Sequence, residues 1–550
     1  MNLQAQDFST TRHHPHDEYW LDQQFSKFPL SLHQPIQFNY GRTFEHSGRQ
    51  AANRYLLSVV ELTAGKRFLV QSDSALRSKA YRMARVSKGI SIAKAEALLK
   101  SVGLPFPTAQ DDASALARLA CPLWWLRALR KQQDREQEQL AVQVGLVRKG
   151  RQPYVTTALL ERMQARHQAS LEILANYEAI SSEGDKVNLL EVLKKSVANP
   201  KIRRQELEIR MRGSEAYATE QGHIAMFYTI TTPSKYHRYS GEGLNPKYEH
   251  ATPRQAQAYL VKIWSQIRAK LKREGMNVYG FRVAEPHHDG TPHWHILLFM
   301  QSEHQLAVTA ALKHYAFLED GQEAGAAEHR FEAIAIDRSR GSATSYISKY
   351  ISKNIDGFGM EAELDGETGN SVESGAARVR AWASAWGIRQ FQQIGGAAVG
   401  VWRELIRMEN AVEGLLEEAR LAVHSLKWGD YLKIQGGATL NRQFQPIKVW
   451  SVEPVDMTTG ALKASRYGET VKRTKGLDCV GTITITRTKE WTIQPKAVAA
   501  GKSDEGTATS VFRAPAVFAS AVDFLQAASL PSSLGKSLNN CTQTLLREAA

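Results

Sequence analysis

The sequence predicts an α+β protein in which a unit built on an antiparallel sheet follows a mainly helical, basic region. Three observations support this prediction. Residues 111–218 have helical periodicity, residues 219–410 alternate β-branched and aromatic runs with amphipathic helices, and two apolar runs near residue 290 are separated only by a turn. Strands joined by so short a turn pair antiparallel, and helices interspersed among such strands are typical of the α+β class.

The chain of 550 residues is long enough for about three domains, at roughly 100–200 residues each. In the first hundred residues, only the pattern of 87–103 clearly predicts a helix. In the basic region, the patterns of 155–180 and 188–213 predict helices. We predict an N-terminal region of unknown role at 1–110, a helical region at 111–218, the sheet-containing unit at 219–410, a C-terminal α/β region at 411–495 and a weakly ordered tail at 496–550.

The charge balance favours a polyanionic partner. The chain has 70 Lys and Arg against 56 Asp and Glu, a net charge of +14, so nucleic acid is the simplest partner, although a soluble basic protein would have the same balance. Two GKS triplets begin at residues 501 and 535, but Lys496 and Leu530 stand where a phosphate-binding loop needs its first glycine. We therefore expect no nucleotide cofactor.

Cysteine content and hydropathy predict a cytoplasmic protein. Cys121, Cys479 and Cys541 are too far apart for a metal knuckle and too few for a disulfide framework. No apolar run reaches the roughly 18 residues of a membrane span, and the N-terminus is polar where a signal peptide is apolar. We therefore expect no membrane partner.

The elements of the sheet-containing unit are predicted in chain order from apolar runs, caps and turns. The first strand, at 223–232, ends before Pro233, and a long helix then starts after the N-cap Thr252 and ends at Gly275. The remaining elements are strands at 276–285, 293–300 and 329–337 and a helix at 342–355.

A His-Trp-His triplet begins the strand at 293–300. Side chains alternate along a strand, so His293 and His295 lie on one face and Trp294 on the other. If the preceding hairpin is centred near Asp289, the partner of His293 is Glu285. Two imidazoles and one carboxylate on one face predict a metal site with further positions open.

Two alternatives to that ligand set remain open. His287 and His288 in the turn are rival ligands, because spacing does not determine loop geometry. In the second alternative, His293 and His295 bind no metal and are partly buried polar residues on one face of the sheet.

The helix at 342–355 repeats a four-residue unit, YISKYISKN. Spacing of i to i+4 stacks Tyr346 and Tyr350 into one stripe, with isoleucines on one side and Lys349 and Lys353 on the other. Neighbouring lysines favour a phenolate nucleophile and neutralise phosphate charge. The alternative is an ordinary amphipathic helix with packed tyrosines and solvated lysines.

The segments PHHDGTPHWH at 286–295 and YISKYISKN at 346–354, in this order and about fifty residues apart, resemble the replication gene A proteins of bacteriophages. Those proteins are HUH endonucleases that initiate rolling-circle replication, where HUH denotes His, hydrophobe, His. Segments 121–131, 227–237, 380–396 and 401–407 are similar to other parts of the family, so the resemblance covers roughly residues 115–435.

The resemblance implies an antiparallel-sheet HUH endonuclease domain of the ferredoxin/RRM-like type. His293 and His295 would be ligands of a divalent metal, Mg²⁺ or Mn²⁺, with Glu285 as a third ligand whose identity varies among related proteins. Tyr346 and Tyr350 would be paired nucleophiles. The enzyme would nick one strand of origin DNA, form a 5′-phosphotyrosine link and a free 3′-OH for rolling-circle replication, and later rejoin the displaced strand.

The implied partners are single-stranded or locally melted origin DNA, a host helicase and a host DNA polymerase in the bacterial cytoplasm. Cations of the long helix are candidates for phosphate contacts or form a solvated face: Arg254, Lys262, Arg268, Lys270, Lys272 and Arg273. A relaxase or single-strand transposase is an alternative with the same chemistry, disfavoured by motif order and chain length. A non-catalytic DNA-binding protein with a structural metal is the alternative from another class.

Overall fold

The computed structural model describes residues 15–240, 243–337, 339, 341–356, 372–455 and 460–496. The tail predicted from residue 496 onward, apart from Lys496 itself, lies outside these residues, as do Cys541 and both GKS triplets. The chain divides into two compact units, one up to Gln152 together with Thr156–Leu159, the other comprising Pro153–Val155 and the chain from Leu160. No helix among the described residues is long and apolar enough to cross a membrane.

The first unit is helical, and it contains more helices than the sequence predicted. The helix expected at 87–103 is confirmed as α4, and α5 and α6 lie in the predicted helical region, but the residues before α4 had no clear periodicity. One reason is that Gly48, with φ of 77°, interrupts the long helix α2 with a kink. The helices of this unit are α1 (Pro15–Phe25), α2 (His33–Glu61), α3 (Asp73–Val86), α4 (Ile92–Ser101), α5 (Asp112–Leu119) and α6 (Pro122–Gln143).

The second unit mixes helices with antiparallel strands, as predicted. Its helices are α7 (Thr157–Ala175), α8 (Leu189–Lys194), α9 (Pro200–Glu220), α10 (Pro253–Arg273), α11 (Gln305–Ala316), α12 (Ala326–His329), α13 (Ala343–Ile355), α14 (Val372–Trp386), α15 (Val399–Leu405), α16 (Gly414–His424) and α17 (Trp428–Ile434). Its strands are β1 (Tyr177–Ser181), β2 (Lys186–Asn188), β3 (Ile224–Ile230), β4 (Tyr239–Ser240), β5 (Gly243–Leu244), β6 (Tyr279–Pro286), β7 (Pro292–Met300), β8 (Phe331–Ala335), β9 (Phe391–Ile394), β10 (Ile447–Val452), β11 (Arg473–Cys479), β12 (Thr482–Ile485) and β13 (Trp491–Pro495).

One helix prediction was wrong at its end. Residues 155–180 were expected to be helical throughout, but α7 ends at Ala175 and β1 follows. β1 pairs antiparallel with β2 and with β13, the last strand described. Local periodicity cannot reveal a strand whose partner lies so far along the chain.

The central sheet has five strands in the order β8-β3-β7-β6-β9, and every neighbouring pair is antiparallel. The predicted hairpin is confirmed as β6 and β7, with Glu285 opposite His293. β7 lies in the middle and is buried along its whole length, which fits its unbroken apolar run after His295.

Each face of the sheet is covered by helices. On one face, Trp294 of β7 donates from Nε1 to Gln257 Oε1 of α10 at 3.0 Å, and Tyr228 of β3 hydrogen-bonds Thr309 of α11. The predicted N-cap of α10 is confirmed, because Thr252 and Gln255 form a reciprocal capping box. The opposite face packs on α9 and α13 in one large apolar core with α15–α17.

Close packing fixes α9 against α17. A Cβ added to Gly213 of α9 would lie 2.4 Å from Cβ of Trp428, so only glycine allows the two helices to approach this closely. α9 in turn contacts α13. α9 therefore connects the C-terminal helices with the helix that carries the two tyrosines.

Candidate active site

Glu285, His293 and His295 lie together on the α13 face of the sheet. The His293 and His295 Nε2 atoms are 3.0 Å apart, and Glu285 Oε2 lies 3.5 Å from His295 Nε2 and 3.9 Å from His293 Nε2. All three side chains are buried, and their potential ligand atoms lie within 4.8 Å of one another. The sheet register therefore brings together the three residues that the sequence predicted as ligands.

The geometry of this cluster fits a divalent cation. Ligand bonds of about 2.1 Å at right angles place two donor atoms about 3.0 Å apart, the distance between the two Nε2 atoms. Two of these side chains also make contacts through the atom that points away from the other ligands. Thr229 Oγ1 lies 3.2 Å from His295 Nδ1, and the Asn354 amide donates to Glu285 Oε1. Such outer contacts orient metal ligands in proteins.

The environment of His293 favours a neutral imidazole. Burial lowers its pKa well below the usual value, and the neighbouring His287 and His295 lower it further, as do His237 and the charge of Lys353. A neutral imidazole keeps its lone pair available for a metal. Nδ1 of His293 is buried and has no hydrogen-bond partner in the described chain.

The two rival histidines of the turn differ in position. The His287 ring centroid lies 4.2 Å from that of His293, and burial lowers the pKa of His287 to about 3. His288 instead stacks on Tyr154, with ring centroids 6.2 Å apart. The compact group of ligand atoms contains Glu285 and neither turn histidine.

Asp289 holds the turn between the two strands. Its carboxylate accepts from the backbone amides of Thr291 and Arg238, each at 3.0 Å. Burial alone would raise the pKa of Asp289, but the hydrogen bond and charge of His237 bring it below the usual range. The turn predicted from its Asp-Gly pair is thus an ordered loop with a buried carboxylate.

The tyrosine helix α13 lies directly over the histidines. The Tyr350 ring centroid is 4.0 Å from that of His295 and 5.5 Å from that of Phe227. Tyr346, one turn earlier, lies 5.8 Å from Phe227 and is 45% exposed. One tyrosine therefore contacts a predicted metal ligand, and the other lies beside it at the edge of the same face.

The predicted amphipathic pattern of α13 is also present. Ile347 and Ile351 are buried in the core, Lys349 is exposed, and Lys353 is half-buried. The helix therefore presents both tyrosines and both lysines along its less buried side.

Both ends of α13 are held by α9, which the sequence did not predict. Glu215 accepts hydrogen bonds from the amides of Ala343 and Thr344 at the N-terminus of α13. Arg204 Nε lies 3.0 Å from Asp356 Oδ2 at the C-terminus. A carboxylate at the start of a helix and a cation at its end both complement the helix dipole. No local signal in the sequence links residues so distant.

Three exposed arginines, which we call the arginine surface, lie beside this site: Arg203, Arg380 and Arg389. The Arg203 guanidinium lies 5.3 Å from the Phe391 ring centroid, and Arg389 Nε donates to the Phe391 oxygen at 3.2 Å. Arg380 donates to the Ile355 oxygen at the end of α13. Partial burial lowers the pKa of Arg203, and the charges of Arg380 and Arg389 lower it further.

Sequence reasoning missed the arginine surface and pointed instead to cations of α10. Phe391 pairs with Val283, which pairs with His295, so the arginine surface adjoins the face that carries the histidines. α10 packs on the opposite face, against Trp294. The arginines of α10 therefore do not lie beside the candidate metal ligands.

Comparisons with known proteins identify a family for this chain. Residues 58–358 match the family model described as bacteriophage replication gene A protein (GPA). The match begins upstream of residue 115, where the predicted resemblance begins. No solved structure matches the chain.

Three curated relatives illustrate the similarity. The chain is 41% identical over 410 residues to the probable replication protein P12 of Pseudoalteromonas phage PM2, covering 73% of this chain and 63% of that protein. It is 40% identical over 410 residues to the replication gene A protein of Escherichia phage P2, covering 71% and 53%. It is 40% identical over 293 residues to a probable replication endonuclease from a prophage-like region of Salmonella paratyphi A, covering 53% and 37%.

The chain thus spans 37% to 63% of the length of these relatives. The family match nevertheless includes more than half of the chain, and the histidine strand and the tyrosine helix both lie inside it. This chain belongs to the bacteriophage replication gene A protein family.

Proposed function

We propose that this chain is a replication initiation endonuclease that nicks one strand of origin DNA through a tyrosine nucleophile and later rejoins the displaced strand. The observation that carries the proposal is the contact of the Tyr350 ring with His295, one of three clustered metal-ligand side chains. A nucleophile beside a buried His-His-Glu cluster suits phosphoryl transfer, because both can act on the same phosphate. Family membership and the relatives named as replication proteins and endonucleases support it.

In the proposed reaction the phenol oxygen of Tyr346 or Tyr350 attacks the scissile phosphorus. One P–O bond forms to tyrosine, the P–O bond to the 3′ oxygen breaks, and the phenolic proton passes through solvent to that oxygen. The products are a 5′-phosphotyrosine and a free 3′-OH. Because no water is consumed, attack by a 3′-OH on the phosphotyrosine reverses the step and rejoins a strand.

Glu285, His293 and His295 would hold a divalent cation, Mg²⁺ or Mn²⁺, whose charge polarises the phosphate when bound. Asn354 and Thr229 orient two of these ligands through the contacts described above.

Lys353 and Lys349 would stabilise negative charge on the phosphate and on the phenolate. Lys353 is half-buried and electrostatically coupled to His293, so its charge reaches the cluster. Lys349 is exposed and follows Tyr346 by three residues, the same spacing that separates Lys353 from Tyr350. The two lysines would thus serve different tyrosines.

Two tyrosines allow two sequential cleavages. While one remains linked to the first DNA end, the other can attack a regenerated origin one round later. The 3′-OH would be extended by a host DNA polymerase, with a host helicase separating the strands, in the bacterial cytoplasm. The proposed chemistry itself needs no nucleotide cofactor, because the phosphotyrosine conserves the phosphodiester bond.

The test is a covalent adduct assay. The full chain is incubated with Mn²⁺ and labelled single-stranded oligonucleotides that tile the encoding replicon, and products are separated on a denaturing gel. We expect wild type to form a protein–DNA adduct at one position, each of Tyr346→Phe and Tyr350→Phe to retain part of the activity, and the double variant to form none. Tyr315→Phe, at the end of α11, is the matched control and keeps wild-type activity.

Absence of an adduct with wild type, or an adduct with the double variant, would contradict the proposal. In the first case binding without cleavage would favour a non-catalytic DNA-binding protein with a structural metal. A relaxase or transposase would form the adduct, but at sites unrelated to a replication origin.

A further inference from the structure

The first unit contains a cleft between α3 and the start of α6, with a volume of about 550 Å³. Its walls include Tyr81, Arg82, Arg85 and Lys88 of α3 and the following turn, with Pro122 opposite. This volume lies within the range of about 300–1,000 Å³ that ligand sites have. The cleft belongs to a unit that holds none of the candidate catalytic residues.

The cleft is basic. Arg82, Arg85 and Lys88 are exposed, and none of the described residues that line the cleft carries a carboxylate. The nearest acidic side chain along α3, Asp73, already binds Arg77 at 2.7 Å and Arg130 at 2.6 Å. The three cations therefore stand together without an ion pair among the described residues, which favours an anionic ligand.

The position of these cations on the helix offers a partial alternative explanation. Arg85 and Lys88 lie at the C-terminal end of α3, where positive charge complements the helix dipole. The helix dipole does not explain why these cations line a cleft that also contains an exposed tyrosine. Arg82 lies a turn earlier, where the dipole effect is already weak.

Tyr81 adds a second kind of recognition. It is 61% exposed, although tyrosine normally buries its ring. Tyr81 and Arg85 are four residues apart on α3, so they lie on one side of the helix, and Lys88 follows in the turn after it. An exposed ring beside cations in the same cleft suits a polynucleotide strand, in which each base is attached to a charged backbone.

We propose that this cleft binds single-stranded DNA, with an unpaired base stacked on Tyr81 and the adjoining phosphates on Arg82, Arg85 and Lys88. Bases of a duplex are stacked on each other and cannot use the ring, so the site selects unpaired strand. This is a second DNA-binding site in a separate unit, beyond the proposed cleavage site. It would hold a strand of melted DNA independently of the tyrosine chemistry.

The test uses the full chain carrying Tyr346→Phe and Tyr350→Phe, so that bound DNA is not cut. A fluorescent single-stranded oligonucleotide is titrated and followed by anisotropy at several salt concentrations. We expect Arg82→Glu with Arg85→Glu to raise Kd at least about tenfold and to reduce the salt slope by about 1.4, the effect of two lost phosphate contacts. Tyr81→Ala weakens binding about tenfold, and Tyr81→Phe restores it.

A crosslinking experiment distinguishes DNA bound in this cleft from DNA bound elsewhere on the protein. Photo-crosslinking with oligonucleotides that contain 5-iododeoxyuridine, followed by peptide mass spectrometry, is expected to label Tyr81. The matched control is Lys94→Glu with Lys100→Glu on α4, which makes the same charge change on exposed residues outside the cleft. It leaves the crosslink in place and changes Kd less than threefold.

The proposal is overturned if both charge-reversed pairs weaken binding equally, if Tyr81→Ala binds as its parent does, or if duplex DNA or polyglutamate competes as well as single strand. Amide hydrogen exchange in residues 73–86 of each variant checks that α3 remains folded. Failure of the cleavage proposal would be visible separately, as the absence of an adduct with the unmutated tyrosines. Conversely, cleft variants with intact tyrosines still form the adduct at saturating oligonucleotide.

Discussion

Glu215 and Thr344 form a double hydrogen bond at the start of the tyrosine helix: Glu215 Oε2 lies 2.9 Å from the Thr344 amide nitrogen and 2.5 Å from its hydroxyl oxygen. Glu215 belongs to α9, whose packing against α17 depends on Gly213. This carboxylate therefore adds a polar link between the tyrosine helix and the C-terminal core, besides the apolar packing and the Arg204–Asp356 ion pair.

Glu215→Ala is expected to loosen α13, because it removes the acceptor for two amides and the charge at the helix N-terminus. Loss of such a cap costs about 1–2 kcal/mol of stability. We expect faster amide hydrogen exchange in residues 343–350 and severalfold slower adduct formation, with Mn²⁺ affinity unchanged. Glu220→Ala, at the exposed end of α9, is the control. Equal exchange rates in wild type and Glu215→Ala would disprove this positioning role.

Glu285→Ala is expected to weaken Mn²⁺ binding more than tenfold, since it removes one of three ligands that the hairpin brings together. Asn354→Ala should lower the affinity less, by roughly tenfold, because Asn354 only orients the Glu285 carboxylate. Calorimetric titration with Mn²⁺ measures both effects. Glu303→Ala, an exposed residue just after β7, serves as the control. A Glu285→Ala protein that binds Mn²⁺ as tightly as wild type would identify another third ligand.

Trp294 separates the two histidines in sequence but lies on the other face of the sheet. Trp294→Phe is expected to reduce the free energy of unfolding by about 1–3 kcal/mol, because Gln257 loses its buried hydrogen-bond donor. Mn²⁺ affinity should stay within about twofold of wild type, because the ring contacts α10 and Arg282 instead of the ligands. Urea unfolding of this variant measures the change in stability, and Mn²⁺ titration measures the metal affinity. Loss of metal binding without loss of stability would contradict the assignment of faces.

The arginine surface is expected to bind backbone phosphates of the substrate strand near the cleavage site. Arg203→Ala with Arg389→Ala, in the chain with both tyrosines replaced by Phe, should weaken binding of single-stranded DNA and reduce the salt slope by about 1.4. Arg254→Ala with Arg268→Ala, two exposed arginines of α10, makes the same charge change on the opposite face. If both pairs change the slope equally, the arginine surface has no special role in binding DNA.

The sequence alone determined the features that depend on local periodicity. Alternation along residues 293–300 placed the two histidines on one face, the turn at Asp289 set Glu285 opposite His293, and spacing of four residues aligned the tyrosines. Each follows from the geometry of one strand, one turn or one helix, so near neighbours in the chain are sufficient. The family relationship was also visible, because the two motifs occur in order.

Only the tertiary structure decided which of the possible ligands come together and what holds them. Asn354, Thr229 and Glu215 reach the site from other elements, and the arginine surface combines α9, α14 and the start of β9. β1 became a strand through its pairing with β13, against its local helical pattern. These outcomes depend on contacts between residues far apart in the chain, whose free energy is gained only when the core around α9 and the sheet has formed.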